Sequence, residues 1–209
     1  THMKEFSFAI EICEDLWAVN PPSNNHALAG ANIILNLSAS DEMVGKKNYR
    51  RELVKGQSAR LIAGYIYASA GNGESTTDVV YSGHNIISEN GTILAEAELF
   101  ENELIISEID CKRLINDRRR NSSFGNIIDK DYKIVKIGQR EELVKLTRYI
   151  DKAPFVPANK QFRDERCKEI LDIQMMGLVK RLEHTNCQNV VIGISGGLDS
   201  TLALLVAVR

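Results

Sequence analysis

No stretch of this sequence stays apolar for the length of a membrane-spanning helix, and no signal-peptide hydrophobic core precedes its first charged residues. Neither insertion into a bilayer nor export is therefore expected, and the cytoplasm is the expected location. Cysteine is sparse. Cys13, Cys111, Cys167 and Cys187 lie far apart and form none of the C-x-x-C pairs of a zinc site, so free cytosolic thiols are the expectation. An excess of charge is also lacking: 26 basic residues against 28 acidic ones leave a net charge of −2, which gives no hint of nucleic acid or anionic membrane as a partner. The longest basic run, Arg118-Arg119-Arg120, follows Asp117 at what reads as a helix end, where cations complement the dipole, and a solvated cap is expected there. Thr1-His2-Met3 reads equally as native sequence or as a cloning remnant.

What is present is enough for one domain or a little more: 209 residues, 44% of them hydrophobic. Near the end, the apolar run Val190-Val191-Ile192-Gly193-Ile194 reads as a buried strand leading into Ser195-Gly196-Gly197-Leu198-Asp199-Ser200. Two glycines without Cβ let backbone N–H groups approach a polyphosphate, and a helix opened by Ser200 and Thr201 would turn its positive dipole end to the same anion. A lysine after the glycines is missing, which excludes the phosphate-transferring G-x-x-x-x-G-K-[ST] loop. An arbitrary Gly-Gly turn between strand and helix is the alternative reading. The helical pattern runs to Arg209 with no polar exit, so a second domain is expected to be only begun here, as part of a longer chain.

The other end carries a different signal. Residues 6–12 alternate apolar with small or polar side chains, as a strand packed on one face does, and Cys13 sits at its C-terminal end among Glu11, Glu14 and Asp15. A buried cysteine is more often an inert small hydrophobe, but three neighbouring carboxylates are a costly setting for packing alone. A sharp turn with partial exposure of the thiol is expected. Further strands are predicted at Ala31–Leu35, Gly64–Ala70, Ser82–Ile87, Thr92–Ala97 and Glu103–Ile109, with Asn90-Gly91 as a hairpin turn because both residues tolerate positive φ. Helices are predicted over Tyr49–Leu61, Asp110–Arg120 and Arg163–Thr185, the last packing Ile170, Ile173, Gly177 and Leu178 inward. Ala153-Pro154-Phe155-Val156-Pro157 marks a boundary, since each proline bars its predecessor from the helical region.

Two stretches resemble known families. The Ser195–Ser200 loop resembles the SGGxDS loop of the N-type ATP pyrophosphatases, and Glu11-Ile12-Cys13-Glu14-Asp15-Leu16-Trp17 is similar to the nucleophile turn of the nitrilase-type glutaminase domain of glutamine-dependent NAD+ synthetases. The order of the two signatures is that of the synthetases, and Asn36-Leu37-Ser38-Ala39-Ser40, Gly45-Lys46, Gly73-Glu74-Ser75-Thr76-Thr77-Asp78 and the helix from Arg166 to Arg181 continue the likeness. The resemblance implies an α/β fold: the C-terminal half of a nitrilase-like α-β-β-α sandwich (1–120), a linker (121–162), and the start of a Rossmann-like ATP pyrophosphatase domain of the adenine nucleotide alpha hydrolase type (163–209). It implies Cys13 as nucleophile toward glutamine, with the N–H of Glu14 as oxyanion donor. Ser40 and Lys46, with Glu14, would grip the amino-acid end of glutamine; a lysine supplies charge there without the fork of an arginine. In the other half it implies ATP on Ser195, Gly196, Gly197, Asp199 and Ser200, with Asp199 on Mg2+, a hard cation suited to carboxylate and phosphate oxygens. The substrates implied are glutamine, ATP and deamido-NAD+, and the assembly a homo-oligomer. The family's glutamate base and lysine both precede the nucleophile and are not expected within this sequence; Lys4 and Glu5, on the incoming strand, are not read as replacements. Other ATP-pyrophosphatase amidotransferases, or a non-catalytic binding or assembly module, are the alternatives.

Overall fold

The alternating segments of the first half become five strands of one mixed sheet: β1 (Phe8–Ile12), β2 (Ile33–Ser38), β3 (Gly64–Ser69), β4 (Ile86–Glu89) and β5 (Thr92–Glu96), in spatial order β1-β2-β3-β4-β5. The computed structural model describes residues 7–101, 103–124, 132–137 and 145–209, apart from the side chain of Asn72. It divides the chain into a unit of residues 1–148 and a unit of residues 149–209. The first three strands are parallel, joined by α1 (Ser23–Leu28) and α2 (Lys46–Leu61); β4 and β5 close the sheet antiparallel around Asn90 (φ 43°) and Gly91 (φ 81°), as the Asn-Gly signal predicts. Lys4 and Glu5, and part of the 121–162 stretch, fall outside the described residues.

One face of the sheet is covered by the helices. Period two puts Ile34, Asn36 and Ser38 of β2 beside Tyr65, Tyr67 and Ser69 of β3, and Val54, Leu61 and Ala27 from the helices complete the apolar core with Ile34, Tyr65, Tyr67 and Ile86. The apolar residues of β1 do not belong to it. Phe8, Ile10 and Ile12 point to the other face and are 40–65% exposed, while buried Glu11 occupies the helix side. Glu11 is satisfied there: its carboxylate accepts from the backbone N–H of Ser23 at 2.9 Å and from the Tyr65 hydroxyl, whose own titration is pushed far up by burial and by the Glu11 charge.

Two expectations from the sequence need correction in this unit, and one helix was not expected. No strand forms over Glu103–Ile109; Leu104 and Ile106 are largely exposed, and Ile109 instead packs so close to Gly64 that a Cβ there would lie 2.8 Å from its Cδ1. The helix after it, α3 (Cys111–Arg119), is capped by the Asp110 carboxylate on the Arg113 N–H at 2.9 Å, but Arg118 is no solvated cap. Its guanidinium is buried and donates to the carbonyls of Leu61, Ile62, Ala27 and Ala31, tying together the C-terminal ends of α1 and α2, while the Phe124 ring lies 4.9 Å away. Burial without a carboxylate lowers it to about 10. The unexpected helix is α1 itself, absent from the sequence reading.

In the second unit, α4 (Lys160–Thr185) starts at an Asn159 side chain that accepts from the Phe162 N–H, and α5 (Leu198–Val208) starts at Gly197. None of α4 is buried; Ile170 and Ile173 are exposed, against the expectation that they pack inward. Residues 190–194 form no strand, and Val191 is fully exposed. An extended segment becomes a strand only when a neighbour takes its N–H and C=O groups, and this run pairs with no other described segment. Among the described residues no helix is long and apolar enough to cross a membrane.

Candidate active site

At the end of β1 the chain turns at once into a 3-10 turn, Cys13–Trp17, and its first residue carries the strain: Cys13 has φ 47°, a left-handed conformation uncommon for a side chain other than glycine, asparagine or aspartate. Two neighbours hold the turn. The Asp15 carboxylate accepts from the Ile12 N–H at 2.7 Å, and the Asn36 amide donates to the Cys13 carbonyl at 3.3 Å. The thiol is partly exposed, as expected, and its sulfur accepts from the Ser38 hydroxyl at 3.5 Å. Ser38 is bonded in turn to the Tyr67 hydroxyl at 2.5 Å, and buried Ser40 interacts with that same hydroxyl. Burial pushes Tyr67 up from its ordinary value, offset only in part by Ser38, Ser40 and the Arg50 charge.

The three carboxylates near Cys13 in sequence do not form a cluster around it. Glu11 serves Ser23 and Tyr65, Asp15 serves the turn, and Glu14 is exposed. Lys46, at the start of α2, has its ammonium 5.5 Å from the Trp17 ring centre and donates to the Asp41 carbonyl at 2.7 Å and carboxylate at 2.9 Å; that hydrogen bond and charge lower Asp41. Trp17 stacks obliquely on Tyr49, with ring centres 5.4 Å apart.

From the buried side chains of Arg50, Glu42 and His84 to half-buried Glu96 and partly exposed Arg51 runs a line of polar groups that the sequence reading missed. Arg50 donates to Glu42 at 2.8 Å and to His84 Nδ1 at 2.9 Å; His84 Nε2 donates to Glu96 at 2.9 Å, and Arg51 holds the other Glu96 oxygen at 2.8 Å. A guanidinium can only donate, so His84 is neutral with its proton on Nε2. Burial lowers His84; it also raises Glu96, but the bonds from Arg51 and His84 outweigh it and leave Glu96 lowered. Alternation along β2 could have revealed part of this site, because Asn36, Ser38 and Ser40 recur every second residue on the helix-covered side.

In the second unit the predicted loop is exposed. Gly196 has φ 83°, Ser200 Oγ bonds the Ser195 N–H (3.3 Å) and the Gly197 carbonyl (3.1 Å), and Thr201 Oγ1 donates to the Gly197 carbonyl at 2.9 Å. No side chain caps α5, which leaves its first N–H groups for another acceptor, and Asp199 stands in its first turn. An uncapped helix N-terminus with its N–H groups outward favours an anion, and Asp199 is the carboxylate nearest to it in sequence.

Comparison with known proteins finds relatives across nearly the whole chain. The chain is 40% identical over 210 residues to the glutamine-dependent NAD(+) synthetase of Mycobacterium leprae, covering 96% of this chain and 31% of that protein. It is 26% identical to the enzyme of that name from Aquifex aeolicus, over 96% of this chain and 34% of the relative. The chain thus spans about a third of the length of these curated relatives. Among solved structures, the glutamine-dependent NAD+ synthetase of Acinetobacter baumannii in complex with ADP aligns with a TM-score of 0.48 and 23% identity, covering 100% of this chain and 32% of that one. Residues 2–119, which include β1, the Cys13 turn and the whole sheet, match the carbon-nitrogen hydrolase model, and the chain belongs to that family.

Proposed function

We propose that Cys13 is the nucleophile of a glutamine-hydrolysing site and that the chain is part of a glutamine-dependent NAD+ synthetase. One observation carries this: a strained, partly exposed thiol directly at the end of a sheet strand, with a buried hydroxyl donating to its sulfur. The identity to synthetases across nearly the whole chain supports it. The Cys13 thiolate attacks the side-chain amide carbon of glutamine, and the tetrahedral oxyanion is met by the Glu14 N–H. The C–N bond breaks, the nitrogen leaves as ammonia with an added proton, and water cleaves the resulting thioester to glutamate. Glu14 within the turn, Lys46 over the Trp17 ring and Ser40 beside Tyr67 receive the amino-acid end of glutamine. Lys46 shares its charge between Asp41 and the incoming carboxylate.

For the second unit the proposal is the start of an ATP pyrophosphatase domain that uses the released ammonia on deamido-NAD+. Ser195, Gly196, Gly197 and Ser200 shape the turn toward the pyrophosphate, the N-terminus of α5 supplies donors, and Asp199 holds Mg2+. When bound with ATP, that ion neutralises phosphate charge. The setting is cytoplasmic and the assembly homo-oligomeric.

The test is made in a chain extended to the relatives' full length. Cys13→Ala is expected to abolish NAD+ formation from glutamine while free ammonia still supports it, and Asp199→Asn to impair both and weaken magnesium binding in calorimetry. Glutamine-driven synthesis surviving Cys13→Ala would refute the proposal.

A further inference from the structure

The sulfur of Cys13 is not left to solvent on its inner side. Ser38 Oγ stands 3.5 Å from it, oriented as donor, and the next atom along is the Tyr67 hydroxyl, 2.5 Å from Ser38. Both residues are nearly or fully buried, on adjacent parallel strands, and on the helix-covered face of the sheet. With the Ser38 proton directed to sulfur, the Ser38 oxygen is free to accept, and Tyr67 is a donor to it. Burial keeps the phenol protonated across the neutral range. The Arg50 guanidinium stands 6.0 Å from the Tyr67 ring centre, so any negative charge drawn toward the phenol is countered from below.

We propose that Ser38 and Tyr67 form a hydroxyl relay behind Cys13, in which Tyr67 orients Ser38 and Ser38 donates a hydrogen bond that favours the thiolate and aims it out of the turn. Ser38 is a positioning residue, acting on Cys13 rather than on substrate, and Tyr67 positions Ser38. No proton moves along the relay; each hydroxyl keeps its own. The proposal rests on the assignment of Cys13 as nucleophile, yet its measurement does not depend on glutamine hydrolysis. The other charged or titratable groups around the turn are Glu11 and Asp15, each engaged with a backbone N–H, exposed Glu14, Arg50, and Lys46 paired with Asp41. The Ser38 and Tyr67 substitutions change none of them.

The rate of Cys13 alkylation by iodoacetamide, in which sulfur displaces iodide, is followed as a function of pH in the 209-residue chain, with the modified peptide quantified by mass spectrometry so that the other three cysteines do not interfere. A hydrogen bond to a charged acceptor is strong enough that Ser38→Ala should shift the midpoint of the profile upward by about one pH unit and slow alkylation below it about tenfold. Ser38→Thr should restore the profile and Tyr67→Phe shift it part of the way in the same direction. Superimposable profiles for the parent and Ser38→Ala overturn the relay. Should Ser38→Ala fail to fold, Tyr67→Phe decides alone, an unshifted profile overturning the proposal. Loss of glutamine hydrolysis in Cys13→Ala with unshifted alkylation profiles would leave the nucleophile standing and remove the relay; the converse pair of results would do the reverse.

Discussion

Arg118 shows how far a residue's role can depart from its sequence neighbourhood. In a row of three arginines at a helix end it reads as solvated charge, yet it alone is buried, and its N–H groups serve four carbonyls at the ends of two other helices. Nothing in the run distinguishes it from Arg119, because the difference lies in which side of α3 faces the C-terminal ends of α1 and α2. Replacing it by leucine takes the side-chain donors from the buried Leu61 and Ala31 carbonyls, while Ala27 keeps the Gly30 N–H. Arg118→Leu should therefore destabilise the first unit by about 2–4 kcal/mol, whereas Arg119→Leu should change stability by no more than about 0.5 kcal/mol. Urea unfolding of the two variants is the check, and equal midpoints would reject the clamp. Cys13 is the opposite case. Its place at a strand end is legible from alternation in residues 6–12, but its left-handed backbone and its hydroxyl partner depend on β2 and β3, which a local reading does not bring near it.

At the scale of elements, α2 is fixed to the β4–β5 hairpin by the line from Glu42 through Arg50 and His84 to Glu96 and Arg51. His84 is held neutral, with its titration below the ordinary imidazole value of 6.5, so the unfolded chain takes up a proton that the folded one refuses. Stability from this group is complete above 6.5 and is lost as pH falls through the lower folded value. Melting temperatures measured from pH 7.5 downward should thus fall less steeply in His84→Asn than in the parent, with the curves parallel only above 6.5. Elements whose signals are local were legible: the Asn90-Gly91 turn, the charged helix after residue 110, and α2, which runs a turn earlier than its periodicity suggests because Gly45 (φ 87°) admits it at Lys46. Elements that need a distant partner were not. The apolar runs at 103–109 and 190–194 have strand composition, but composition supplies no neighbour for their backbone groups. The short α1 was missed because its N-terminus is fixed by Glu11 from another strand rather than by a capping residue of its own.

The whole first unit has one sheet face covered by helices and another that shows Phe8, Ile10, Ile12 and Leu37 to solvent, on strands that include the sheet edge. An exposed apolar face at a sheet edge favours association. The apparent mass from light scattering should rise with concentration for the 209-residue chain and move toward that of a single chain in Phe8→Lys combined with Ile10→Lys; a parent that stays monomeric at every concentration would contradict this. The mixed strand order also sets a sequence in time. Glu89 and Thr92 meet across two residues, so the β4–β5 hairpin can close within about 1–10 μs, while β1 meets β2 and β2 meets β3 across much longer stretches of chain, whose closure costs more. During refolding, pulsed hydrogen exchange should find the Ile87 and Ala95 amides protected before those of Ile10 and Leu35. On that order the reactive turn is expected to arrive late, assembled onto a scaffold that is already closing without it.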